Sequence, residues 1–112
     1  MKLFGEKKLA KFAKKHPQFR NLLAGFKLIV VEAAWKGQHE IPAAFNTAQK
    51  ENMVLIRLGQ SCRLVAQIEY ATAAKIAKAS ERGESKRVVG TVIICQTWTH
   101  EEYNDHLNDW WK

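Results

Sequence analysis

The stretch that decides the fold is residues 54–70, VLIRLGQSCRLVAQIEY. Apolar residues recur at every second position on both sides of Gly59-Gln60-Ser61, and a period of two is typical of β-strands. A short glycine-containing turn between two such runs predicts a β-hairpin. Alternate strand residues point to opposite faces. One apolar face therefore packs on the core, and Arg57 and Arg63 project from the other face, which we expect to be uncovered.

Helical periodicity precedes this hairpin. The spacing predicts a helix over residues 6–15 and a second one from Pro17 to about Lys36, ended by Gly37. Residues 37–52 are loop-like. After the hairpin, the segment 71–87 is polar, with a candidate helical turn at 73–80 and a break at Gly83. A last strand runs from about Val89 to Trp98, and Thr99 with Glu102 forms a capping box that starts a short helix.

This order predicts an α+β fold in one domain, residues 1–112. Two N-terminal helices pack on a small antiparallel sheet, a three-strand meander, and a short C-terminal helix follows. Residues 1–4 are a candidate additional N-terminal strand. Arg57 and Arg63, on adjacent strands of the open face, are placed to hold a phosphate group.

All of the excess positive charge lies in the first third of the chain. Residues 1–36 contain nine Lys or Arg and two Glu, whereas residues 37–112 contain nine of each sign. Such a field favours a polyanionic partner, nucleic acid or an acidic protein; the alternative is a solvated helix face. We expect Lys7, Lys8, Lys11 and Lys14 to contact RNA, and their replacement by Gln to flatten the salt dependence of binding.

The remaining patterns exclude several classes of protein. No apolar run is long enough for a membrane helix, and no secretion signal is present, which predicts a cytoplasmic protein without a membrane partner. Cys62 and Cys95 lack metal-ligand spacing and lie in apolar runs, so we expect two buried free thiols. No cofactor and no metal are predicted. Trp98 is expected in the core, and Trp110-Trp111 either covers the sheet or docks a partner.

Three segments together resemble HigB-type toxins of the RelE-like superfamily. Residues 13–18, AKKHPQ, are similar to the junction between their first two helices. Residues 58–66, LGQSCRLVA, are similar to their glycine turn followed by Arg-Leu, and residues 98–104, WTHEEYN, to their closing Thr-His-x-x-Tyr-Asp/Asn signature. The resemblance covers nearly the whole chain except about residues 71–88, which is an insertion atypical of that family.

The resemblance implies a RelE-like fold and a cytoplasmic mRNA interferase of a type II toxin–antitoxin system. Such toxins cleave mRNA without a metal, commonly on the ribosome, and are neutralised by a helix-turn-helix antitoxin of the HigA type. A ribose 2′-hydroxyl attacks the adjacent phosphate, which needs a proton acceptor, a cation for the developing charge and a proton for the leaving oxygen.

Three residues are the candidate catalytic groups. Arg63 matches the family's arginine and is expected to bind the scissile phosphate; the alternative is a surface salt bridge with Glu69 or Glu102. His100 is the candidate proton carrier, or else it only closes the helix start. Tyr103 either stacks on a base or binds phosphate, or packs in the core, and Arg57 adds phosphate affinity.

Antiparallel strand order places the start of the middle strand beside the end of the last strand. We therefore expect Arg63 and His100 at one rim of the sheet, and expect alanine at either position to abolish toxicity with a nearly unchanged thermal midpoint.

One position departs from the family pattern. Cys95 stands where relatives usually carry an arginine, and losing that charge weakens transition-state stabilisation. The candidate compensating cations are Arg57 and five residues of the 71–88 insertion: Lys75, Lys78, Arg82, Lys86 and Arg87. Without compensation, the chain is a non-catalytic RNA- or ribosome-binding protein. A ParE-like toxin that targets gyrase is a further alternative.

Overall fold

The computed structural model describes residues 1–85 and 89–112 and shows an α+β fold. Its described part contains four α-helices and a five-stranded mixed sheet. The helices are α1 (Glu6–Lys15), α2 (Arg20–Glu32), α3 (Ala73–Glu81) and α4 (His100–Asn104). The strands are β1 (Lys2–Phe4), β2 (Ala48–Lys50), β3 (Met53–Leu58), β4 (Cys62–Glu69) and β5 (Thr91–Thr99).

The sheet is wider than the predicted meander. The strands lie in the order β1-β5-β4-β3-β2, so the antiparallel meander β3-β4-β5 is confirmed at its centre. The N-terminal strand is present and pairs in parallel with β5. The candidate N-terminal strand is therefore confirmed, whereas the prediction of a purely antiparallel sheet was wrong because β1 pairs in parallel, and β2, which extends the hairpin, was not predicted.

The face predicted to be apolar packs against the helices. Val54, Ile56 and Leu58 of β3 and Leu64 and Ala66 of β4 are buried in the main core. Leu9 and Phe12 of α1 and Leu23, Phe26 and Val30 of α2 enter the same core. The alternation of apolar residues in the hairpin therefore correctly predicted which side of the sheet the helices cover. Gly59 begins the turn at φ +65°, a left-handed conformation that glycine adopts without strain.

The opposite face is covered, which contradicts the expectation of an open surface. Leu55 and Val65 form a second buried cluster with Tyr103 of α4 and Trp110 beyond it. The chain turns after α4 and returns over the sheet, because these aromatic rings need apolar area to pack on. Trp110 is 5% exposed and therefore covers the sheet. Trp98 is half-buried against this second cluster and not in the main core.

Two boundaries differ from the predicted ones. α2 ends at Glu32, four residues before the expected Lys36, because Ala33 takes an extended conformation at ψ 161°. Residues 37–52 are more ordered than a loop. They contain two short 3₁₀ helices, Gln38–Glu40 and Ala43–Phe45, and then strand β2. In segment 71–88, the possible helical turn is the full helix α3.

A β-bulge interrupts β5. Val65 pairs with Gln96 and Ala66 pairs with Ile94, so Cys95 has no partner on β4. One extra residue reverses the alternation of the strand from that point on. Ile94 therefore faces the helices and Gln96 the second cluster, although both have even numbers. Thr97 consequently faces α1.

The start of α1 fits tightly against this strand. Gly5 precedes the helix at φ +94°, and a Cβ at this position would lie 2.8 Å from Cβ of Ile94. Only glycine permits both this conformation and this approach. The close contact brings the lysine side chains of α1 to the edge of β5.

The two cysteines differ in environment. Cys62 is fully buried, and burial raises the pKa of its thiol to about 12. Cys95, on the bulge, is half-exposed, so the prediction of two buried thiols was wrong for this residue. Both are free.

Candidate functional site

Arg63 and His100 meet at one end of the sheet. Cys62 pairs with Thr99 and Arg63 with Trp98, because β4 starts where β5 ends. Nη2 of Arg63 lies 3.4 Å from Nδ1 of His100. The predicted proximity of these two residues, 37 positions apart, is therefore confirmed, whereas their catalytic roles stay predictions.

Arg63 is anchored inside the protein. It is 7% exposed, and its Nη1 donates to the carbonyl oxygens of Gly59 and Cys62, at 3.2 and 3.0 Å. Its Nη2 donates to the carbonyl of Gln60 at 2.9 Å and contacts His100. The four Nη hydrogens are thus occupied, and Nε is buried without a partner among the described residues. A phosphate could bind this guanidinium only by displacing those contacts.

The charge of Arg63 is fixed at the base of the site. Burial lowers the pKa of its guanidinium, and the neighbouring charge of Arg57 lowers it further. Arg57 faces Arg63 across the strand pair and donates to the carbonyl of Asn46 at 2.9 Å. Neither salt-bridge partner considered for Arg63, Glu69 or Glu102, is among its described contacts. The two arginines therefore form a positive site beneath His100.

The contact with Arg63 determines which ring nitrogen of His100 carries the hydrogen. A guanidinium only donates hydrogen bonds, so Nδ1 of His100 accepts and Nε2 carries the hydrogen. The ring itself is exposed at the first position of α4. Thr99 and Glu102 form the predicted capping box, which holds the start of α4. Of the two alternatives for Tyr103, the structure shows packing: the side chain is buried in the second cluster, with its ring 6.4 Å from that of Trp98.

A cavity of about 220 Å³ lies between α1 and the end of β5. We call it the lysine cavity; it is lined by Lys8, Lys11, Phe12, Lys15, His16, Thr97 and Glu102. Positions 8, 11 and 15 share a helix face because they are three and four residues apart. Lys7 and Lys14 do not line this cavity, whereas Lys15, which we did not single out, does. The helical spacing from Lys8 and Lys11 is the signal that identifies Lys15.

The side chain of Lys8 reaches Cys95, the residue at whose position the resemblance leads us to expect an arginine. Its Nζ donates to the carbonyl oxygen of Cys95 at 3.1 Å. A cation from α1 thus reaches the bulge. Lys75, Lys78 and Arg82 of the insertion line a separate cavity with Thr91. Thr91 lies eight strand rises, about 26 Å, from Thr99, so this cavity is at the opposite end of β5 from His100. Lys86 and Arg87 lie outside the described residues.

A second cavity of about 290 Å³ adjoins the first. We call it the histidine cavity; it is lined by His16, Gln18, Phe19, Ser61, Thr99, His100 and Glu101. His16 lines both cavities. The sequence gives His16 only as the helix-ending residue before Pro17, so its position between the lysines and His100 emerges from the fold alone.

Glu102 is held as a carboxylate at this junction. The backbone N–H of Thr99 donates to its Oε1 at 3.0 Å and lowers its pKa below the ordinary value, and the charges of Lys15 and His16 act in the same direction. An ionised carboxylate with a lowered pKa is a poor proton donor at neutral pH.

No protein-family model, no curated protein and no solved structure matches this chain. Within residues 1–85 and 89–112, no helix combines the length and hydrophobicity needed to cross a bilayer. The same residues bring together no group of three or more His, Cys, Asp or Glu side chains suited to a metal ion.

Proposed function

We propose that this chain is a HigB-type toxin with a RelE-like fold, a cytoplasmic endoribonuclease that cleaves mRNA on translating ribosomes without a metal. A helix-turn-helix antitoxin of the HigA type neutralises it. The observation that carries the proposal is the contact between Arg63 and His100 beside a cavity lined by three lysines. Cations and an imidazole at one junction are the groups that phosphate-ester cleavage requires.

The geometry favours other roles for these residues than the sequence suggested: the lysines contact phosphate and Arg63 positions the site. Lys8, Lys11 and Lys15 line the cavity and supply the direct phosphate contacts. Arg63 acts as a positioning residue, since its hydrogens bind the hairpin turn and His100. Its buried charge still stabilises a developing phosphorane over short range. His100 points its Nε2 hydrogen outward as a donor.

Expression in bacteria tests this function. Induction of the wild-type chain is expected to arrest growth and to produce new mRNA 5′ ends at codon-linked positions. His100→Ala is the inactive control, because this exposed side chain can be removed without opening the core. Growth arrest with intact mRNA contradicts the nuclease function, and a DNA-damage response with stalled gyrase then assigns the ParE-like activity.

A non-catalytic RNA-binding protein is the second candidate, and the hydrogen bonds of Arg63 favour it. The four Nη hydrogens of this guanidinium are bound to other protein groups and its Nε is buried, and Cys95 contributes no charge at the bulge. Purified wild-type protein that binds RNA or ribosomes and leaves them uncut supports this candidate, particularly if Cys95→Arg then creates a nuclease.

The lysine cavity predicts which charges matter for binding. Changing Lys8, Lys11 and Lys15 to Gln is expected to lower the slope of log affinity against log salt by about 2, because each phosphate contact on a single strand contributes about 0.7. Lys2, Lys7 and Lys14 changed to Gln remove the same charge outside the cavity and should change the slope by less than about 1. Fluorescence anisotropy with a labelled single-stranded RNA over a salt series measures both. Equal slopes for the two triple variants would show that only net charge attracts RNA.

A further inference from the structure

His16 stands where the lysine cavity and the histidine cavity meet. We propose that His16 is the general base of the cleavage reaction and takes the proton from the attacking 2′-hydroxyl. This inference rests on the proposed nuclease function. It concerns a different step from the one that the sequence suggested for His100, which was proton exchange with the leaving oxygen.

The ring of His16 is held in place before any substrate binds. Its centroid lies 5.0 Å from that of Phe12 and 5.7 Å from that of Phe19. Its backbone N–H donates to the carbonyl of Phe12 at 2.8 Å, which closes the last turn of α1. A base fixed between two aromatic rings loses little entropy when substrate binds.

His100 is poorly arranged for proton transfer. In its neutral form, the one lone-pair nitrogen is Nδ1, which already accepts from Arg63. Protonation of Nδ1 would set an N–H against a guanidinium N–H that three carbonyls prevent from moving away. His100 therefore donates a hydrogen bond through Nε2 and does not act as the base.

The carboxylates around His16 are weaker bases. The pKa of Glu102 is lowered by the Thr99 backbone N–H, and Glu101 is exposed to water. The charged and titratable groups that face His16 are therefore lysines from α1 and, from α4, His100, Glu101 and Glu102. Of these, the lysines are protonated at neutral pH and serve as cations.

Nε2 of His16 has the properties of an acceptor awaiting a donor. It is buried and has no hydrogen-bond partner among the described residues. A buried N–H without an acceptor is costly, so the neutral ring carries its hydrogen on Nδ1 and leaves a lone pair on Nε2. A ribose hydroxyl would provide the missing partner once the side chains that cover this nitrogen at the junction move aside.

The reaction then balances as follows. Nε2 of His16 takes the 2′-hydroxyl proton while the 2′ oxygen bonds to phosphorus. The bond between phosphorus and the 5′ oxygen breaks, its electron pair goes to that oxygen, and water protonates it. His16 returns its proton to the resulting hydroxide. The products are a 2′,3′-cyclic phosphate and a 5′-hydroxyl, and the lysine ammonium groups balance the phosphorane charge.

His16→Phe tests the proposal because phenylalanine keeps the packing between Phe12 and Phe19 and removes both nitrogens. Single-turnover cleavage of a synthetic RNA is expected to slow at least about 100-fold. Affinity for the same RNA with 2′-O-methyl groups should stay within about threefold, because this change removes transition-state stabilisation and not binding. The rise of the wild-type rate with pH should disappear. His39→Phe, at an exposed histidine outside both cavities, is the matched control and should keep the wild-type rate.

The outcomes separate this inference from the function on which it rests. Restoration of cleavage in His16→Gly by added imidazole supports the assignment. His16→Phe that cleaves at nearly the wild-type rate, or slowly with the wild-type pH dependence, overturns it and leaves the nuclease intact. Wild-type protein that binds RNA without cutting overturns both. If His16→Phe does not fold, His16→Gln replaces it in the same assay.

Discussion

Arg63→Ala is expected to unfold about 12 °C below the wild type. The change removes three hydrogen bonds to the turn carbonyls and leaves buried acceptors unpaired. Hydrogen bonds to a charged group are worth about 1.5–3 kcal/mol each, and burying a charge costs part of that gain, so a net loss of about 3 kcal/mol follows. For a chain of this size, each kcal/mol lowers the midpoint by about 4 °C. Thermal unfolding followed by circular dichroism measures the shift.

This result would correct the sequence-based expectation that the midpoint stays nearly unchanged. The contrast is His100→Ala, which removes only the 3.4 Å contact from an exposed ring and should keep the wild-type midpoint. Arg57→Ala, which loses one hydrogen bond to Asn46, should cost about 1 kcal/mol or less. An Arg63→Ala protein with the wild-type midpoint would mean that the guanidinium does not anchor the turn.

Trp110→Ala is expected to cause the largest loss of stability, about 3–5 kcal/mol. Its ring is 5% exposed and packs with Leu55, Val65 and Tyr103, so its removal leaves a cavity over the second face of the sheet. Urea unfolding provides the free energy of unfolding. Trp111→Ala is the matched control: this ring is half-buried, meets Trp110 edge-on at 5.6 Å, and lies 3.8 Å from Nζ of Lys50 and 5.9 Å from Nζ of Lys112. It should cost about 2 kcal/mol, the value of an exposed cation–π contact and one aromatic pair. Equal losses at the two positions would contradict the packing of Trp110.

The hairpin and the helices could be predicted because their signals are local. Alternation around Gly59 fixes β3, β4 and the face that meets α1 and α2, and the capping box marks the start of α4. Those elements are enough to place Arg63 near His100. The start of the chain also joins the sheet, through β1, as one of the alternatives that the sequence leaves open.

The environment of the site could not be predicted in the same way. Whether Arg63 faces solvent depends on the path of the chain after α4, and no pattern in residues 105–112 shows that Trp110 returns to the sheet. His16 acquires its position only when α1, the end of β5 and α4 pack together. A strand that alternates strictly would also have placed Thr97 on the wrong face.

The bulge at Cys95 divides β5 into two parts that alternate in opposite phase. Before it, even-numbered residues such as Val92 and Ile94 enter the helix-side core; after it, Thr97 and Thr99 occupy that side. Deletion of this single residue would remove the bulge and keep every other residue of β5 on its present side, because both flanking segments are already in register with β4. Pairing of Cys95 with Val65 would instead act as a frameshift acts on a message: Trp98 would exchange sides with Thr97, so that an indole would fill the cavity beside His16 and the second cluster would lose its neighbour.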